Sequence, residues 1–149
     1  MSEMLGNQYF LARDYARAAS ELYAALKTNS RNKGMRRKLI ICYTQIAEIG
    51  KALDTFISLI KEDVDFVINT DPISDDCPCP ELVYDMEQKL ENSKKSIDFN
   101  LILGMLWLYC NVEKSIYYFN RVLQIDPNYS KVKIILALLN SRAVDKQEF

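Results

Sequence analysis

The side chains of this chain best equipped for chemistry lie together in DPISDDCPCP, residues 71–80, where Cys77 and Cys79 bring two sulfur donors and Asp71, Asp75 and Asp76 three carboxylates. Three uses suit that set: holding a metal ion, reversible thiol–disulfide exchange, or a stiff polar turn. A closed zinc site asks for four Cys or His ligands and is usually marked by paired CxxC motifs, whereas this stretch has one CxC and the chain has no histidine. The aspartates also lack the alternating spacing and central glycine of a calcium loop. Redox use is opposed by neighbouring carboxylates, which make a thiolate scarcer, with Lys61 and Lys89 the nearest lysines in sequence. The remaining reading is structural: proline restricts the loop, Asp75 or Asp76 helps to start the following helix, and the acids keep the turn solvated. Metal or redox use of Cys77 and Cys79 stays open as an alternative, as does a loop contact specific to one partner.

Beyond this stretch, little suggests catalysis. Without histidine the usual general base, the His-paired nucleophiles and the commonest metal ligand are missing, and there is no glycine-rich phosphate loop. No enzyme activity and no cofactor are expected. The 19 basic and 20 acidic residues of the 149 leave a net charge of −1, which disfavours a nucleic-acid partner. The start MSEMLGNQ has no basic, apolar secretory pattern, and the longest apolar run, LILGMLWLYC, is about half a membrane span. A soluble, cytoplasmic protein with no membrane insertion and with reduced thiols at Cys42, Cys77, Cys79 and Cys110 is the expectation.

What must position any site is helical. The segments EMLGNQYFLARDYARAASELYAAL and RKLIICYTQIAEIGKALDTFISLI superpose without a gap at a spacing of 34 residues. Leu5 falls on Leu39, Tyr9 on Tyr43, Ala18 on Ala52, Leu22 on Phe56 and Ala25 on Leu59. These apolar or small positions recur at three- and four-residue steps, broken near Arg13-Asp14 and near Ala47-Glu48, so each unit predicts two helices in a hairpin. A third copy at about 96–129 ends in YYFNRVLQIDPNYS, with Ser115 where the first two have alanine. Val132, Ile135, Leu136 and Leu139 then mark a capping helix at about 130–145. Between the second and third copies, 67–95 is a degenerate repeat. Asp71-Pro72, Pro78 and Pro80 forbid a normal first helix, whereas PELVYDMEQKLENS has Leu82, Met86 and Leu90 on one helical face. Whether residues 63–76 hold a short helix is left open.

Gly6, Tyr9, Asp14-Tyr15, Ala18 and Ala25, then Tyr43, Ala52 and Phe56, then Phe119 with Asp126-Pro127-Asn128, resemble the pattern of the tetratricopeptide repeat family. Ile40 departs from it, standing where a small residue is usual. The resemblance implies one all-α domain over 1–149: a right-handed superhelical stack of antiparallel helix hairpins with repeats at about 1–32, 33–66, a degenerate 67–95 and 96–129, closed by the capping helix. It also implies a non-catalytic adaptor or scaffold whose first helices line a concave groove for a peptide or helix of a protein partner. Carried over residue by residue, the groove set is Asn7, Phe10, Arg37, Lys38, Ile41, Thr44, Gln45, Asn100 and Trp107, with Leu11, Leu101, Gly104 and Leu108 beside them and Arg142 at a rim. Such a face suits a segment bringing apolar anchors and one or two acidic groups. The aliphatic members read equally as core, Trp107 as anchor or packing, and Arg36-Arg37-Lys38 as a solvated charge run. The family's two-carboxylate clamp is matched only at Asn7, with Glu3 and Lys38 where Lys and Asn are expected, so that ligand is not implied. Self-association, a small secretion or assembly chaperone, and a metal- or redox-responsive protein are the other readings.

Overall fold

A computed structural model describes residues 2–89 and 96–147, with side chains to residue 142. Among the described residues all regular structure is helical and no strand occurs: α1 (Ser2–Leu11), α2 (Tyr15–Leu26), α3 (Lys33–Gln45), α4 (Ile49–Ile68), α5 (Cys79–Glu87), α6 (Ile97–Trp107), α7 (Val112–Ile125) and α8 (Ser130–Gln147). No helix among them is long and apolar enough to cross a membrane. The chain forms two compact units, residues 1–59 and 60–149, the boundary falling within α4.

In the first unit α1 packs on α2 and α2 on α3. Local chemistry sets the helix ends. The Asp14 carboxylate accepts the Arg17 N–H at 3.3 Å, and the Asn32 side-chain Oδ1 accepts that of Met35 at 2.9 Å. Arg13 and Ala47, 34 residues apart, both turn left-handed, with φ 63° and 61°. Each is followed by the same closing bond, Asp14 N–H to Tyr9 O and Glu48 N–H to Tyr43 O, both 2.9 Å. The two hairpins of the sequence repeat therefore share their turn as well as their apolar pattern, even though neither turn has the glycine that this conformation favours. Ala18, Ala52, Leu22 and Phe56 are buried, and so is Ile40, the residue that departs from the small-residue pattern.

The core of this unit also holds Cys42, whose thiol is pushed up to about 12 by burial, against the lowering pull of a backbone hydrogen bond and of Lys38. In the unfolded chain a thiol ionises at about 8.5. Above that pH the unfolded state sheds a proton that the folded state keeps, so the contribution is fully present below the unfolded value and falls as pH rises toward the folded one. Stability is expected to drop by about 1–2 kcal/mol between pH 8 and 10 from this thiol. Urea melts at the two pH values should show a smaller drop for Cys42→Ala; equal drops would remove Cys42 as the cause.

In the second unit α5 packs on α6, α6 on α7, and α7 on α8. Ser96 and Asn111 cap α6 and α7 through the Phe99 N–H at 3.2 Å and the Lys114 N–H at 3.1 Å. α6 and α7 approach closely at Gly104, where an added Cβ would lie 2.8 Å from the Phe119 ring. Ser115, in place of the repeat's alanine, donates its hydroxyl to the Gly104 carbonyl at 2.6 Å, so the polar substitution is satisfied inside the core. Val132, Ile135, Leu136 and Leu139 of α8 are buried.

The question of residues 63–76 resolves into a kink, a short helix and a turn. Asp63 adopts φ −160° and ψ 84°, interrupting α4, and its carboxylate restarts the helix by accepting the Phe66 N–H at 3.2 Å. Past Ile68 the chain turns on its own aspartates: Asp75 Oδ2 accepts the Asp71 N–H at 2.8 Å, and Asp71 Oδ1 accepts that of Ile73 at 3.1 Å. Hydrogen bonds from the Ser74 side chain and the Ile73 backbone hold the Asp71 carboxyl below its usual range. Neither Asp75 nor Asp76 caps α5; Pro78 stands at its N-cap position with no side-chain cap bond. The helix also ends at Glu87, short of the predicted segment, whose Leu90 lies outside the described residues.

Candidate functional site

The predicted groove residues divide by burial. Phe10, Ile41, Thr44 and Asn100 are buried, which makes them packing residues rather than a surface for a partner. Thr44 donates its hydroxyl to the Ile41 carbonyl at 2.6 Å, and Asn100 donates to the Ser96 carbonyl at 2.7 Å while accepting Arg121 Nε at 3.2 Å. Their polar groups serve the core because hydrogen bonding is what makes burial of a polar group tolerable. Leu101, Gly104 and Leu108 are buried as well, and Arg142 pairs with Asp65 at 2.7 Å. Asn7, Arg37, Lys38 and Gln45 remain partly exposed. Asn7 and Lys38 meet, with Lys38 Nζ 3.0 Å from Asn7 Oδ1 and 5.6 Å from the centre of the Phe10 ring. Met4 and Leu11 of α1 are well exposed close by in sequence.

Successive residues of a helix are set about 100° apart, so Arg36, Leu39 and Tyr43 of α3 lie on the side opposite Lys38 and Gln45. That other side is open. Here α2, α3 and α4 enclose a cleft of about 610 Å³, with Leu26, Leu39 and Tyr43 as apolar lining. Tyr23, 54 % exposed, stands at its edge. Lys27, Arg36 and Lys51 line the cleft against the single carboxylate of Asp54. Lys27 lies over the Tyr23 ring at 5.2 Å and Lys51 over the Tyr43 ring at 6.0 Å. Arg36 is only 8 % exposed and donates to Ser58 Oγ at 3.3 Å. Sequence reasoning passed over it as part of a solvated run. The available signal was its seven-residue spacing from Tyr43, which puts it on the apolar side of α3.

No family model, curated protein or solved structure matches this chain significantly. The residues must therefore speak for themselves, and in the second unit they bring Trp107 into a cluster. Its indole N–H donates to Glu87 Oε1 at 2.8 Å, and the Tyr118 hydroxyl donates to the same oxygen at 3.1 Å. Lys114 Nζ lies 4.2 Å from the centre of the indole. Burial first, and then the Glu87 charge, pushes the Tyr118 hydroxyl well above its usual value, so it stays a donor. Trp107, Glu87 and Lys114 line a second cleft of about 430 Å³ with Tyr84, Pro72 and Pro80. The expected anchor is thus held by its own protein, its one polar atom already bonded.

Cys77 and Cys79 are joined in a disulfide, correcting the expectation of reduced thiols. The turn into α5 brings their Cα atoms to 5.4 Å, within the range a disulfide spans. Among the described residues no group of three or more Cys, His, Asp or Glu side chains is arranged to hold a metal ion. Cys42 and Cys110 are free thiols; burial raises the Cys110 thiol, which disfavours its thiolate.

Proposed function

We propose that the protein is a non-catalytic interaction module built of tetratricopeptide-type hairpins, and that it binds an acidic protein segment carrying an apolar anchor. The observation that carries this reading is the cleft of α2, α3 and α4, which combines an apolar lining with three cations and one carboxylate. An aromatic or aliphatic side chain of the partner fills the apolar floor, while its carboxylates meet Lys27 and Lys51 at the edge. Complementary charge of this kind sets specificity and association rate, and it weakens with salt.

Fluorescence polarisation with synthetic peptides tests it, using one leucine or phenylalanine anchor flanked by either aspartates or lysines. The acidic peptides are expected to bind, the basic ones not, and Lys51→Glu to weaken binding about tenfold, equivalent to about 1.4 kcal/mol. Equal binding of both peptide sets would overturn the reading. A second seat is favoured by the exposed Met4 and Leu11 beside the Asn7–Lys38 pair, on the first-helix face that the repeat resemblance implies. Loss of binding in Lys38→Glu with Lys51→Glu unaffected would place the segment there.

A further inference from the structure

The stretch DPISDDCPCP finds no part in the peptide-binding reading, yet its two sulfurs are arranged unequally. We infer that Cys77 and Cys79 form a two-electron thiol–disulfide couple that exchanges with low-molecular-weight thiols through Cys77.

The disulfide encloses only residues 77–79, so it restrains the unfolded chain far less than a bridge across a long loop, and stapling the fold is a poor account of it. Cys79 is the first residue of α5 and is fully buried, while Cys77, just outside the helix, is partly exposed. An incoming thiolate therefore reaches the sulfur of Cys77. That sulfur accepts the Cys79 N–H at 3.3 Å, a backbone donor at the amino end of α5. The same donor and the positive end of the helix stabilise a thiolate at Cys77 after reduction. Of the flanking carboxylates that on sequence grounds opposed a thiolate, those of Asp71 and Asp75 are engaged by backbone N–H groups of their own turn, and that of Asp76 is exposed, where water screens its charge. Pro78 between the cysteines has a fixed φ, which limits how far the reduced sulfurs separate and favours reclosure.

The exchange balances with a monothiol such as glutathione as co-reactant. A thiolate attacks Cys77 Sγ, the Cys77–Cys79 bond breaks, and its electron pair leaves on Cys79 Sγ, which takes a proton from solvent. A second thiolate attacks the ligand sulfur of the mixed disulfide, releasing the oxidised dimer and the Cys77 thiolate. Two thiols are oxidised and one protein disulfide is reduced. In the opposite direction Cys77 attacks an incoming disulfide and Cys79 resolves the adduct.

The full-length chain is equilibrated in glutathione buffers of graded reduced-to-oxidised ratio, then in dithiothreitol. It is quenched with N-ethylmaleimide and read by mass spectrometry of the peptide holding both cysteines. The expected result is a reversible transition from disulfide to dithiol with helicity by circular dichroism unchanged. Cys79→Ser should accumulate a glutathione adduct on Cys77 at least about tenfold above that on Cys79 in Cys77→Ser. Should Cys79→Ser misfold, the same asymmetry is read in the reduced, unsubstituted chain as the ratio of alkylation rates at the two sulfurs. A disulfide that forms at no ratio, one that resists dithiothreitol in the folded chain, or equal reactivity of the two cysteines would each overturn the inference.

Discussion

Phe119→Ala is expected to lower stability by about 3–5 kcal/mol, the usual cost of removing a fully buried ring. The ring lies against Gly104, on the helix paired with its own, and has no exposed surface. The opposite change at the same contact is also expected to destabilise. Gly104→Ala gains about 1 kcal/mol of helix propensity, but its Cβ would enter to 2.8 Å from the fully buried Phe119 ring. Overpacking of that kind costs about 1–3 kcal/mol. Urea denaturation of both single variants and of Gly104→Ala/Phe119→Leu checks the account, because the smaller leucine should offset part of the alanine's cost. A neutral Gly104→Ala, with no coupling in the double variant, would show that the close approach of the two helices is not needed.

Glu87→Ala is expected to cost about 2–4 kcal/mol, since it strands two partly buried donors that each lose about 1–3 kcal/mol when unsatisfied. The donors are the Trp107 indole and the Tyr118 hydroxyl, both bonded to one carboxylate oxygen. Glu87→Gln keeps an acceptor and should lose much less. Trp107 is the only tryptophan, so its emission reports this cluster directly. The alanine variant should show a shifted emission together with the lower denaturation midpoint. A full-strength midpoint in Glu87→Ala would mean that α5 is held by its apolar residues alone.

Much of the helical order was legible in the residues themselves. The hairpin breaks read at Arg13-Asp14 and Ala47-Glu48 coincide with left-handed turns at Arg13 and Ala47, because a lapse in the apolar period marks where a helix must stop. The last helix was legible in the spacing of Val132, Ile135, Leu136 and Leu139, which the structure buries. The start of α5 was legible only in part: prolines placed it, but its N-cap position is Pro78, and Asp75, one of the two aspartates credited with starting it, accepts the Asp71 N–H of its own turn instead. The candidate site was legible least. The repeat resemblance put Arg37, Lys38 and Gln45 on a groove face, yet the open cleft lies across α3 from Lys38 and Gln45, beside Arg36.

Helical period, turn residues and capping side chains are local, and they determined by themselves that this chain forms helix hairpins and where most of them begin and end. Which neighbour covers each face is a long-range matter, decided only when the helices pack. A helical pattern says that Phe10, Ile41 and Asn100 share a side with partly exposed residues; only packing buries them. Nor does spacing along the chain announce that Glu87 will gather Trp107 and Tyr118 from residues 20 and 31 positions away. The cleft and the carboxylate cluster arise from contacts between elements, and the strength of those contacts depends on burial and shape that exist only in the folded units.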